Sequence, residues 1–159
     1  WQSLCDFIMK TISKIILAIS VVFAAFSCGN PQSDGPVVSE MIVAEWHLVS
    51  VSGLSSTPQV YVDFRQDLSF ELYQKVGEGR YRKFDGTYAV SGTTLSGKYS
   101  DGEKWGSDYA VSFDGEKMLL TAQNGSEEVC TYEKKALSET DKAEAILVTK
   151  SAQDGPRFL

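Results

Sequence analysis

The chain contains a single histidine, His47, two residues from Glu45. In an extended strand that spacing puts both side chains on one face. The pair reads either as a general base with an orienting carboxylate or as two solvent-facing groups opposite Trp46 and Leu48, and the second reading is the simpler. A thiol nucleophile at Cys130 would need that one histidine beside it, so Cys130 is read as a small buried hydrophobe. With one histidine and no Cys/His cluster, no zinc site is expected. Asp101, Glu103 and Asp108 gather hard oxygen ligands around one turn. Their spacing is not that of an EF-hand, and Asp-Gly is ordinary turn chemistry, so no metal is expected there either. Gly77-Glu78-Gly79 is a hairpin with no helix behind it, unlike a phosphate-binding loop. No catalytic constellation emerges and no cofactor is implied, so the sequence predicts no enzyme.

The aromatic residues say more. Trp46, Phe64, Phe70, Tyr88, Tyr99, Tyr109 and Phe113 share one strand parity, and each buries roughly 150–250 Å2 when it packs inside. They form either a filled core or the lining of a residual apolar pocket, with Gly86 and Gly97, of the same parity, leaving room for one. Trp105 stands apart in the polar turn Gly102-Glu103-Lys104-Trp105-Gly106. It either folds back to cap the core, which the tendency of large apolar side chains to bury themselves favours, or waits at an entrance to stack on a ligand. The candidate ligand-binding residues are therefore Trp105, Tyr88, Tyr99 and Tyr109.

These residues need strands to position them. From residue 42 to 135 the hydrophobic period is two, broken by turn residues at short intervals. Strands are predicted at 42–51, 59–65, 68–76, 80–90, 94–99, 107–113, 117–122 and 128–134, with Asp114-Gly115 a strong hairpin signal. Eight strands joined by short turns form an antiparallel meander. Closing it into an up-and-down barrel removes the exposed edges, whereas a sandwich would need longer crossovers. Ser138-Glu139-Thr140-Asp141 reads as a helix start, with Ala143, Ile146 and Leu147 on one face of a short amphipathic helix against the wall. The tail at 151–159 is expected to be loose.

Composition is globular, with 43% hydrophobic and 23% charged residues, and the formal net charge is −6. An acidic surface without a basic stripe excludes nucleic acid as a partner. Residues 9–28 read MKTISKIILAISVVFAAFSC. Met9 is taken as the start and 1–8 as upstream sequence. Lys10 and Lys14 precede an apolar stretch of signal-peptide length, too short to span a bilayer. Ala25-Phe26-Ser27-Cys28 resembles a lipobox, which implies cleavage before Cys28 and lipid on its sulfur. The competing readings are an ordinary secretory signal with a chance cysteine and an uncleaved anchor. Gly29 stands where Asp resembles an inner-membrane retention signal, which points to the outer membrane. Residues 28–41, rich in Gly, Pro and Ser, read as a flexible tether. The organisation is then 1–27 removed, 28–41 tether, 42–150 barrel with helix, and 151–159 tail.

Glu45-Trp46-His47-Leu48 in the first strand, together with Phe84-Asp85-Gly86-Thr87-Tyr88 and Leu95-Ser96-Gly97-Lys98-Tyr99-Ser100-Asp101-Gly102, resembles the lipocalin-like lipoproteins of Bacteroides-type bacteria over 42 to about 149. Ala44 stands where that family carries a Gly, and Lys134 or Lys135 takes the place of its late Arg packed over the Trp. The resemblance implies a calycin-type, eight-stranded barrel with a C-terminal helix, held in the cell envelope by lipid on Cys28. Two functions follow as expectations: binding a small apolar or amphipathic ligand at the barrel mouth, or acting as an accessory module with a filled core and no small-molecule ligand.

Overall fold

Alternation fixes the side chains of each strand to two faces, and the short turns force each strand beside the one before it. The strands are β1 (Ala44–Val51), β2 (Gln59–Phe64), β3 (Ser69–Lys75), β4 (Arg82–Ser91), β5 (Thr94–Tyr99), β6 (Tyr109–Asp114), β7 (Lys117–Ala122) and β8 (Val129–Lys134). The computed structural model describes residues 37–75, 77–149 and 157–159, so the expected signal peptide, Cys28 and most of the tether lie outside the described residues. Every consecutive pair of strands is antiparallel, and β8 returns to pair with β1. The sheet is a closed eight-stranded up-and-down barrel, as the meander predicts, and closure leaves those strands no free edge. A bulge between Leu48 and Ser50 of β1 adds twist where β8 closes the wall.

The inward parity is the predicted one. Trp46, Leu48, Val62, Phe64, Phe70, Leu72, Phe84, Leu95, Met118, Leu120 and Tyr132 are all buried within one continuous core. Leu68 is the exception. Expected to point inward at the start of β3, it sits instead in the preceding turn with φ +64°, about half exposed. Asp67 accounts for this: its carboxylate accepts from the Ser69 N–H at 3.0 Å and forms the turn one residue later than the alternation implied.

At one end of the barrel, before β1, lies α1 (Val38–Met41), a single helical turn in what the composition reads as loose tether. It sets Ile42 in the core, and the Trp46 Nε1–H donates to the Ile42 carbonyl at 2.8 Å. Lys134 Nζ lies 5.5 Å from the centre of the Trp46 ring, so of the two candidate lysines it is Lys134 that packs there.

After β8 comes α2 (Glu139–Glu144), capped as predicted by Ser138, whose hydroxyl accepts from the Asp141 N–H at 3.1 Å. The helix is shorter than expected. Ile146–Leu147 is not its apolar face but a two-residue strand, β9, parallel to β4 at Arg82 and Lys83, and both side chains are exposed. What this segment buries is Leu137, in a second cluster with Tyr61, Tyr73 and Tyr81 on the outside of the wall. The end of the chain is a second correction. Residues 157–159 are not a loose tail: Leu159 is 3% exposed and joins the main core. Arg, Phe and Leu supply here what a polar tail lacks, a cation with local partners and two apolar groups to bury.

Candidate functional site

The barrel interior is occupied by rings. Phe64 meets Tyr88 at 5.0 Å between centroids, Phe70 meets Tyr99 at 5.7 Å, and Phe84 meets Tyr99 at 6.0 Å, all edge-on. Such edge-to-face pairs add to the area they bury, so the aromatic parity builds a packed core. Gly86 and Gly97 do not leave the inward room expected of them. A Cβ on Gly86 would collide with the Phe70 ring and with the backbone of β5, and one on Gly97 would fall inside the indole of Trp105.

Trp105 enters through a split in the wall. β5 and β6 pair only at Thr94 with Ala110 and at Leu95 with Tyr109. Beyond that point the β5–β6 connection folds back to supply the missing partners. The Tyr99 N–H donates to the Glu103 carbonyl at 2.7 Å, and the Trp105 N–H donates to the Gly97 carbonyl at 3.1 Å. The indole then lies against Gly97, 5.1 Å from the Phe70 ring and 6.2 Å from Tyr109, and the residue is 6% exposed. Trp105 therefore caps the core, as its size favoured. Its Nε1–H is buried without a hydrogen-bond partner, and so is the hydroxyl of the wholly enclosed Tyr132. Leaving a buried donor unpaired costs about 1–3 kcal/mol, so both atoms mark strained spots in the interior.

On the outside of the split lies a pocket of about 680 Å3. Its walls are the outward-facing Thr87 and Ala89 of β4, Ser96 and Lys98 of β5, Lys104, and the Ser107–Asp108 and Gln123–Asn124 turns, with Tyr88 and Trp105 beneath. Ser107 ties the two turns together by accepting the Gln123 N–H at 2.9 Å and donating to the Asp108 carbonyl at 2.5 Å. Lys98 and Lys104 face one another as bridge partners, and among the described residues neither forms an ion pair. The pocket thus joins a small aromatic floor to hydroxyls, amides, two cations and one carboxylate.

Of the four candidate ligand-binding residues, the structure brings Trp105 and Tyr88 to this pocket and leaves Tyr99 and Tyr109 in the core. The Tyr88 hydroxyl is committed to the Arg65 carbonyl at 2.7 Å, and that of Tyr99 to the Leu159 carbonyl at 2.7 Å. Burial raises the pKa of both phenols, and it pushes Tyr109 up to about 12, so all three stay neutral. Sequence reasoning missed Ser96, Lys98, Lys104 and Asn124. For Ser96, Lys98 and Lys104 the signal was the run of small and polar residues before Trp105, which reads as a turn until the strand split makes it a wall; Asn124, in the turn after β7, carried no such signal.

The remaining candidates separate. Glu45 turns to Lys142 Nζ at 2.7 Å and to the Leu137 N–H at 3.2 Å. His47 Nδ1 lies 3.2 Å from Glu133 Oε1, and its ring stacks on Tyr61 at 4.5 Å, so it is not orientated by Glu45. Cys130 is buried, and that burial, helped by Glu128, pushes its thiol up to about 12. Asp101 and Glu103 face Arg157 rather than converging with Asp108. Among the described residues no group of three His, Cys, Asp or Glu is placed to hold a metal ion, and no helix is long and apolar enough to cross a membrane. No family model and no curated protein matches this sequence, so the geometry carries the functional argument.

Proposed function

We propose that this chain is a lipocalin-like lipoprotein of the cell envelope, anchored to the outer membrane by lipid on Cys28, whose barrel carries a small amphipathic ligand in the pocket at the β5–β6 split. The pocket carries the reading. Its volume of about 680 Å3 falls in the range of about 300–1,000 Å3 usual for ligand sites. Tyr88 and Trp105 offer an aromatic floor beneath the polar walls. Lys98 and Lys104 favour a ligand bearing an anionic group such as a carboxylate or phosphate. The site lies beside the lumen, because the lumen is filled with side chains.

That filling favours a second reading, an accessory module that takes no small molecule and works through its outer loops. One set of preparations tests both. The 9–159 chain is expressed in a bacterium as it stands and with Cys28→Ser, fractionated, and screened by thermal shift against lipids and anionic metabolites. The anchored form is expected in the membrane fraction with an added acyl mass, and the Cys28→Ser form outside it. Anionic amphiphiles are expected to raise the melting temperature by a few degrees, and Lys98→Ala with Lys104→Ala to abolish that rise. A panel without any shift removes the carrier reading and leaves the module; equal fractionation of both forms removes the anchor.

A further inference from the structure

The barrel end opposite α1 carries the β3–β4 and β5–β6 connections, and there residues 157–159 are held as a ligand is held. The Arg157 guanidinium lies against two rings, 4.3 Å from the centre of Tyr99 and 5.2 Å from that of Phe84. It is paired through two nitrogens with the Asp101 carboxylate, lies 3.7 Å from a Glu103 oxygen, and its side chain is only 8% exposed. The main chain that follows is read as well. The Phe158 N–H donates to Gln74 Oε1 at 3.0 Å, and the Leu159 carbonyl accepts from the Tyr99 hydroxyl at 2.7 Å. Leu159 then enters the core.

These contacts come from β3, β4, β5 and the β5–β6 connection, and the barrel ladder that joins these strands includes none of residues 157–159. A guanidinium site with a carboxylate fork and two aromatic neighbours, two main-chain contacts and an apolar socket recognise a particular chemistry, an arginine followed by two apolar residues. We propose that this end of the barrel is a receptor for a peptide segment of the type arginine–aromatic–aliphatic, and that residues 157–159 fill it as the molecule's own competing occupant. A tethered occupant acts at an effective concentration on the order of millimolar, so a peptide in trans binds well only when the resident segment is weakened. Cation and carboxylates here are distinct from the lysines of the β5–β6 pocket, so the two sites answer to different probes.

The test uses the full chain and the peptide acetyl-Arg-Phe-Leu-amide, with binding followed by NMR titration. The Arg157→Ala, Leu159→Ala double variant is expected to bind it at least tenfold more tightly than the unaltered chain. Adding Asp101→Asn to that variant is expected to weaken the peptide at least fivefold, and a peptide with Glu in place of Arg is expected not to bind. Equal affinity for variant and unaltered chain, or binding indifferent to Asp101→Asn, overturns the proposal, as does a folded variant that binds no peptide. Should the double variant lose its β-sheet circular dichroism, Arg157→Ala alone carries the comparison. An affinity gain of at least threefold over the unaltered chain supports the receptor, and no gain overturns it.

Discussion

Two tryptophans are held in this barrel by different means. Trp46 lies within a strand, is fully buried, and donates its N–H to the Ile42 carbonyl of the adjoining helical turn. Trp105 comes from a connection, is 6% exposed, and buries its N–H with no partner. The surroundings of the first satisfy its indole N–H, although the neighbouring His47 buries its Nε2 without a partner, and Trp46 lines no part of the β5–β6 pocket. Those of the second combine an unpaired donor, a split between strands, a pocket and an ion-paired plug. The difference between the two indoles is a satisfied donor against an unsatisfied one beside a pocket.

The largest effect that sharpens this contrast is truncation of each indole. Trp46→Ala is expected to cost about 3–5 kcal/mol in urea denaturation. Trp105→Ala is expected to cost less by at least about 1 kcal/mol, because it also removes an unpaired buried donor worth about 1–3 kcal/mol. Equal costs would erase the distinction between the two tryptophans.

A smaller effect is expected at Gly97. Its Cα is the floor on which the Trp105 indole lies, so Gly97→Ala forces the ring outward, at about 1–3 kcal/mol as for other overpacked sites. The same substitution in a Trp105→Ala background is expected to be nearly neutral. Additive costs in that double-mutant cycle would mean that Gly97 is needed for something other than the indole.

The smallest effect is electrostatic. The hydrogen bonds from Arg157 hold the Asp101 carboxyl below the usual carboxylate range. A carboxyl with a depressed folded-state pKa contributes stability at neutral pH, and that contribution is lost as pH falls below about 4 and the group is protonated. Asp101→Asn is expected to lower the melting temperature slightly at pH 7 and to lower it less at pH 2.5, measured against the unaltered chain. A Trp46→Phe variant serves as the control at the other end, where the difference from the unaltered chain is expected to be the same at both pH values. An Asp101→Asn effect that is undiminished at pH 2.5 would place the role of Asp101 in packing rather than in charge.

The sequence by itself determined the eight strands, their order, their inward faces and the turns between them. It did so because alternation and turn chemistry act over a few residues, and because short connections leave a strand few places to go but beside its neighbour. Strand limits read from the alternation fall within two residues of those observed, and Trp46 lands in the core as its neighbours implied. Ser138 announced its helix for the same local reason. Tertiary structure alone decided the rest. The split between β5 and β6, and with it the placing of Trp105 against Gly97, follows from how far a strand can track its neighbours once the barrel is closed. His47 takes Glu133, 86 positions away, rather than Glu45 two residues off, and Arg157 takes Asp101 across 56 positions. Such pairs have no period and no fixed spacing. They exist because closing the barrel brings distant parts of the chain to one place, where a cation and a carboxylate that are ordinary surface residues in the sequence become each other's nearest partners.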